Sequence, residues 1–115
     1  MGGSQYRQRA RSRETEAAVA GWYADHGWPH ASPVGPFRNG PDIIGMEGLA
    51  VEVKARRDFN MLQWLKQHRD GHLTPALSYV VIRPDGYGPA HVAAWPVVMR
   101  LDEHTALLRA AGHGQ

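Results

Sequence analysis

The sequence contains no cysteine. That excludes disulfides, thiolate metal ligands and thiol nucleophiles, and makes a reducing cytoplasm the expected compartment. Any metal must be held by oxygen or imidazole, which favours a hard cation or a histidine site. Long apolar runs are missing too, so no segment reads as membrane-spanning and no membrane partner is expected. The polar, arginine-rich N-terminus has no apolar core of a secretory signal. Met1-Gly2 begins like a myristoylation site, but Tyr6 stands where that motif needs Ser or Thr. There is no HExxH, no GxSxG and no internal repeat. The histidines do not pair as ligands. His26 and His30 straddle Gly27 and Pro29, Gly71 separates His68 from His72, and the others are scattered.

Acidic residues are absent from positions 1–13, which carry Arg7, Arg9, Arg11 and Arg13. A second basic group follows at Lys54, Arg56, Arg57, Lys66 and Arg69. The net charge is only +2, so the clustering matters more than the sum. Clustered cations suit a polyanion such as nucleic acid. At 115 residues, 43% of them apolar, the chain has the material for one domain with a small core. We expect a mobile basic arm over 1–11 and a single domain over 12–115.

Ser12 is placed to cap a helix running to about His26, with Gly27 after its end. Glu16, Val19, Ala20 and Tyr23 share one face of it, and Glu16 is the misfit on an apolar stripe. An irregular strand over Trp28–Val34 and a Pro/Gly-rich loop follow. Ile43-Ile44 and Leu49–Lys54 read as strands joined by a turn at Met46-Glu47-Gly48, with Gly48 left-handed. Asn60 caps a helix to about Asp70. Tyr79–Ile82 is a nearly continuous apolar strand, as in a sheet covered on both faces. His91–Ala94 reads as one more strand, and Asp102 as the cap of a last helix. Strands joined through a helix should lie parallel. The fold class is α/β, with a mixed sheet flanked by helices.

In strand 49–54, Val51 and Val53 point one way and Glu52 and Lys54 the other. A three-residue turn at 46–48 would set Asp42 opposite Glu52, with Cβ atoms roughly 4.5–5.5 Å apart. Carboxylates that close repel unless a cation lies between them. Mg²⁺ or Mn²⁺ suits such oxygen donors, polarises a phosphate and acidifies water. Lys54 would orient that water or neutralise charge on the phosphorane. A half-buried strand with a solvated salt-bridge face has the same alternation, and Pro-Asp is a common turn dipeptide. The combination in one register is what points to chemistry.

Pro41-Asp42 followed by Glu52-Val53-Lys54 resembles the signature of the PD-(D/E)xK phosphodiesterases. Within them the chain is most similar to archaeal-type Holliday junction resolvases and related phage nucleases. Those carry a helical glutamate eleven residues before a glycine, the spacing of Glu16 and Gly27. The resemblance covers about residues 12–83. It implies a restriction-endonuclease-like core of helix, three-stranded meander, helix and strand, in a bacterial, archaeal or phage-infected cell. It implies Asp42 and Glu52 as metal-binding acids, the Val53 carbonyl as a further ligand, Lys54 as catalytic lysine and Glu16 as the helical acid, with Glu14 competing for that role. Five positions after the glycine the resolvases often have a basic residue; here it is Ser32, leaving Arg38 in the next loop to supply the charge. Gln63 and Gln67 match glutamines found near such sites. Arg38, Arg56, Arg57, Lys66 and Arg69 would meet phosphates.

The expected activity is Mg²⁺-dependent, structure-selective cleavage of DNA, foremost a Holliday junction cut symmetrically by a twofold homodimer. Two alternatives stay open. One is a replication-repair or restriction-type nuclease acting on flaps or duplex. The other is a nonenzymatic nucleic-acid binder on the same fold. A small interaction protein using its basic arm is a third possibility, in which Glu52→Ala would change nothing.

Overall fold

A computed structural model describes residues 2–35, 41–55, 60–71 and 77–115. Helix α1 spans Gly2–Asp25, followed by β1 (Ser32–Pro33), β2 (Ile43–Ile44), β3 (Leu49–Lys54), α2 (Met61–Gly71) and β4 (Leu77–Ile82). A 3-10 segment (Pro89–Ala94), β5 (Val97–Met99) and α3 (Leu101–Ala110) complete the chain. The molecule is a mixed α/β protein. Its main sheet has the order β3-β4-β5, with β3 and β4 parallel and β5 antiparallel to β4. The parallel pair is the one joined through a helix, as expected. None of the described helices is long and apolar enough to cross a membrane.

Alternation along β3 and β4 puts Val51, Val53, Tyr79 and Val81 on one face. They form a core with Val19 and Ala20 of α1, Ile43, Met46 and Trp95. On the other face Ala50, Ser78 and Val80 are buried as well. There the Ser78 N–H donates to Glu103 of α3 at 3.2 Å, and Trp64 of α2 is buried too. Burial of β4 on both faces over residues 78–81 explains why it reads as a nearly unbroken apolar run. Val51 and Val80 are fully enclosed. Each contributes about 1.5–3 kcal/mol by leaving water.

Several boundaries differ from the sequence reading. Helix α1 starts at Gly2 and not at Ser12, so residues expected as an arm continue the same helix. Ser12 is bypassed because Arg11 supplies a tertiary anchor: its Nε donates to the Ala55 carbonyl at 3.1 Å. Gly27 does end the helix, at φ +120°, with the Trp28 N–H returning to the Tyr23 carbonyl at 2.9 Å. Asn60 caps α2, its side chain accepting the Gln63 N–H at 2.9 Å. His91–Ala94 belongs to the 3-10 segment and not to a strand. Pro89 pre-sets a helical φ there, and the β-branched pair Val97-Val98 takes the strand instead. Asp102 lies inside the first turn of α3, whose cap position is Arg100. The three-stranded meander is split: β2 pairs with β1 in a two-stranded sheet and forms no strand ladder with β3.

Candidate active site

The site lies along the edge of β3 that faces away from β4. Three backbone features put Asp42 there. Gly45, at φ +84°, packs so close to the His30 backbone that an added Cβ would lie 2.0 Å from the His30 oxygen. The chain then turns at Met46–Leu49, where Leu49 N–H donates to the Met46 carbonyl at 3.1 Å and Gly48 sits at φ +79°. The left-handed Gly48 is the one expected, but the Leu49-to-Met46 bond makes a turn with two central residues, Glu47 and Gly48, and not the three-residue turn that the expected register required. Asp42 N–H then donates to the Val51 carbonyl at 2.9 Å.

That last bond corrects the expected register. The Asp42 backbone is level with Val51, and the two acids are not a directly opposed pair on a regular hairpin. Strand β2 is two residues long, and the Gly45 bend removes the ladder that would have set the predicted pairing. The Asp42 side chain makes up the offset. Its Oδ2 accepts the Val53 N–H at 2.8 Å. In a strand the N–H and C=O of one residue point to the same side. The Val53 carbonyl therefore faces the Asp42 edge, while the Lys54 carbonyl faces β4 and accepts the Arg83 N–H at 2.8 Å.

Glu52 and Lys54 share a face, as their alternation requires, and form an ion pair at 3.1 Å. Both are partly exposed, so neither is locked away from solvent. Burial raises the Asp42 carboxyl above its ordinary range, and Glu52 adds to the rise. The Val53 N–H bond and the Lys54 charge oppose it. Glu16 is also raised, first by burial and then by Asp42, with Lys54 again opposing. The two raised carboxyls and the Glu52–Lys54 pair thus form one electrostatic group. Glu14 is outside it: its carboxylate bonds Arg83 at 2.8 Å. Of the two helical acids, Glu16 is the one on which the charges of Asp42 and Lys54 act.

Among the described residues no three acidic or histidine side chains converge as a metal-binding group. The candidate donors, the Asp42 and Glu52 carboxylates, are all oxygen. A half-buried carboxyl whose proton affinity is raised by burial and by a neighbouring acid fits a hard divalent cation, with the Val53 carbonyl on the same edge.

The other expected residues divide. Gln63 and Lys66 are exposed on α2. Lys66 lines a groove with Leu62, Leu65 and Arg100 whose described lining includes none of the acids. The side chains of Gln67 and Arg69, and Arg38, Arg56 and Arg57 altogether, lie outside the described residues. Sequence reading missed Arg83 and Thr15. Thr15 is fully buried on α1, and Arg83 donates to its hydroxyl at 2.9 Å. An arginine closing an apolar strand was the available signal.

The raised carboxyls predict a pH effect. A carboxyl that holds its proton more tightly folded than unfolded favours folding when protonated. That stability is fully present below the unfolded value, near pH 4, and is lost as pH rises through the raised folded value. Asp42→Asn keeps an acceptor for the Val53 N–H and removes the charge. Without metal at pH 7 it is expected to melt above the wild type, the gap closing toward pH 4. Saturating Mg²⁺ should reverse the order, since only the wild type gains binding energy, about 2.7 kcal/mol at a hundred times Kd. Thermal melts at several pH values with and without Mg²⁺ check this; a variant that melts below the wild type in chelator sinks it.

Compared with protein-family models, curated proteins and solved structures, the chain matches none.

Proposed function

We propose that this chain is a Mg²⁺- or Mn²⁺-dependent DNA endonuclease of restriction-endonuclease-like architecture, acting on branched DNA as a twofold homodimer. The observation that carries the reading is the coupled group at the β3 edge. Asp42 is bonded to β3 through the Val53 N–H, Glu52 and Lys54 pair on that strand, and the charges of Asp42 and Lys54 act on Glu16 of α1. A plain solvated salt-bridge face gives no reason for a half-buried aspartate beside a second acid.

Asp42, Glu52 and the Val53 carbonyl would hold the cation, which when bound supplies Lewis-acid charge to the scissile phosphate and lowers the pKa of water. Asp42 is aimed by the Val53 N–H, so its remaining oxygen has a fixed direction. Lys54 presents a cation beside the acids, placed to bond a non-bridging phosphate oxygen and stabilise the charge that builds on the phosphorane. Glu16, with its raised proton affinity, is suited to accept a proton from the attacking water. The arginines of α1 would add sequence-independent, salt-sensitive affinity for the backbone.

The test is a cleavage panel in Mg²⁺ with four-way junction, flap, duplex and single strand. Symmetric nicks on the junction alone are expected, from a protein that sediments as a dimer. Cutting of plain duplex or flaps would move the substrate to the restriction or replication-repair class. Junction binding without cutting under any divalent metal would make the chain a binder and overturn the enzyme reading.

A further inference from the structure

We infer that Arg83 is a positioning residue: it clasps α1 to the end of β3 and so fixes Glu16 beside Asp42 and Lys54. The inference rests on the nuclease reading. Its basis is one residue bonded to both elements. The Arg83 N–H donates to the Lys54 carbonyl at 2.8 Å. Its guanidinium Nη1 donates to the Glu14 carboxylate at 2.8 Å and to the Thr15 hydroxyl at 2.9 Å. Arg11 adds a second tie one turn earlier, to the Ala55 carbonyl at 3.1 Å and to Asp85 at 3.3 Å.

Successive residues of a helix project about 100° apart. Thr15 is buried against the body of the protein. Glu14 and Glu16 therefore flank it on opposite sides. Holding Glu14 and Thr15 on one side fixes the rotation of α1 about its axis. That rotation decides whether Glu16 meets Asp42. A turn of one residue would swing Glu16 off the site while leaving an α-helix on the sheet.

Stability alone is a poor account of this arginine. Only 10% of its side chain is exposed. Its Nε is buried with no hydrogen-bond partner, and the guanidinium lies 5.8 Å from the Trp95 ring centre. Buried ion pairs often stabilise no more than apolar side chains of the same volume, and an orphan donor adds cost. What the guanidinium adds is direction: it selects one rotation of α1, which an apolar contact would not.

The experiment is a double-mutant cycle on the full chain. Arg83→Met keeps the apolar stem and removes the clasp. It is expected to lower kcat on the order of 10–100-fold, as for other residues that orient a ligand, with KM for DNA little changed. On a Glu16→Gln background it should cost nothing further, because the group it positions has gone. Glu14→Gln breaks the clasp from its exposed end and should give a smaller loss, again absent on that background. This second cycle decides the matter if Arg83→Met does not fold. Losses that multiply with Glu16→Gln, or a folded Arg83→Met with wild-type kcat, overturn the inference and leave the nuclease reading standing. A wild-type protein that cuts nothing overturns both.

Discussion

Glu52→Gln and Lys54→Ala are each expected to lower Mg²⁺-dependent cleavage by on the order of 10²–10³, the usual cost of one preorganised charge at a reacting centre. They should fail differently. Glu52→Gln removes a donor with full charge and leaves a near-isosteric amide. Its residual activity should rise as Mg²⁺ is raised, because affinity for the cation is part of what was lost. Lys54→Ala leaves both acids in place. Its activity should stay low at every Mg²⁺ concentration while calorimetric Mg²⁺ uptake persists. Neither should unfold the protein. The Glu52–Lys54 pair is partly exposed, and such pairs contribute about 0–1 kcal/mol. Equal thermal melts for wild type and both variants are the control. Full activity of Glu52→Gln in a folded protein would remove the site proposed here.

The parts of this site that were legible in the sequence are those set by local periodicity. Alternation put Glu52 and Lys54 on one face, and the structure pairs them at 3.1 Å. The 3.6-residue period put Glu16 on the stripe of Val19 and Ala20, and those two are core residues while Glu16 is coupled to Asp42. Gly27, Gly48 and Asn60 stop, turn and cap the chain where their chemistry requires. The register of Asp42 was not legible, because it depends on a contact distant in sequence. Gly45 meets His30, which bends the chain and moves Asp42 from opposite Glu52 to the level of Val51. The role of Arg83 was not legible for the same reason, although an arginine closing an apolar strand marked the position. Its partners, Glu14 and Thr15, lie nearly seventy positions away in sequence and become neighbours only when α1 crosses the strand ends. The start of α1 at Gly2 also escaped, since Ser12 offers a local cap that the tertiary anchor of Arg11 overrides.

Gly45→Ala is expected to be the most damaging single-atom change in the described fold. A Cβ there would stand 2.0 Å from the His30 carbonyl oxygen and 2.5 Å from its carbon. Both are backbone atoms, so no side chain can swing aside. The φ of +84° is itself in the region that L side chains rarely adopt. Relief requires moving either the Trp28–Ala31 turn or the β2 segment, and both are tied down. Ala31 N–H bonds the Trp28 carbonyl at 2.9 Å, and Ser32 pairs with Ile44 in the small sheet. Ile43 and Met46, on either side of the glycine, are core residues, so the shift would be felt in packing as well. A loss of about 3–5 kcal/mol is expected, at the upper end for point substitutions. In a domain of this size that lowers Tm by roughly 12–25 °C. The variant also separates stability from chemistry. Asp42 is three residues before Gly45 and is aimed through two bonds to β3, so displacement of this segment should weaken Mg²⁺ uptake even below the melting point. A Gly45→Ala protein that melts within a few degrees of the wild type would show that the His30 contact does not hold Asp42 in place.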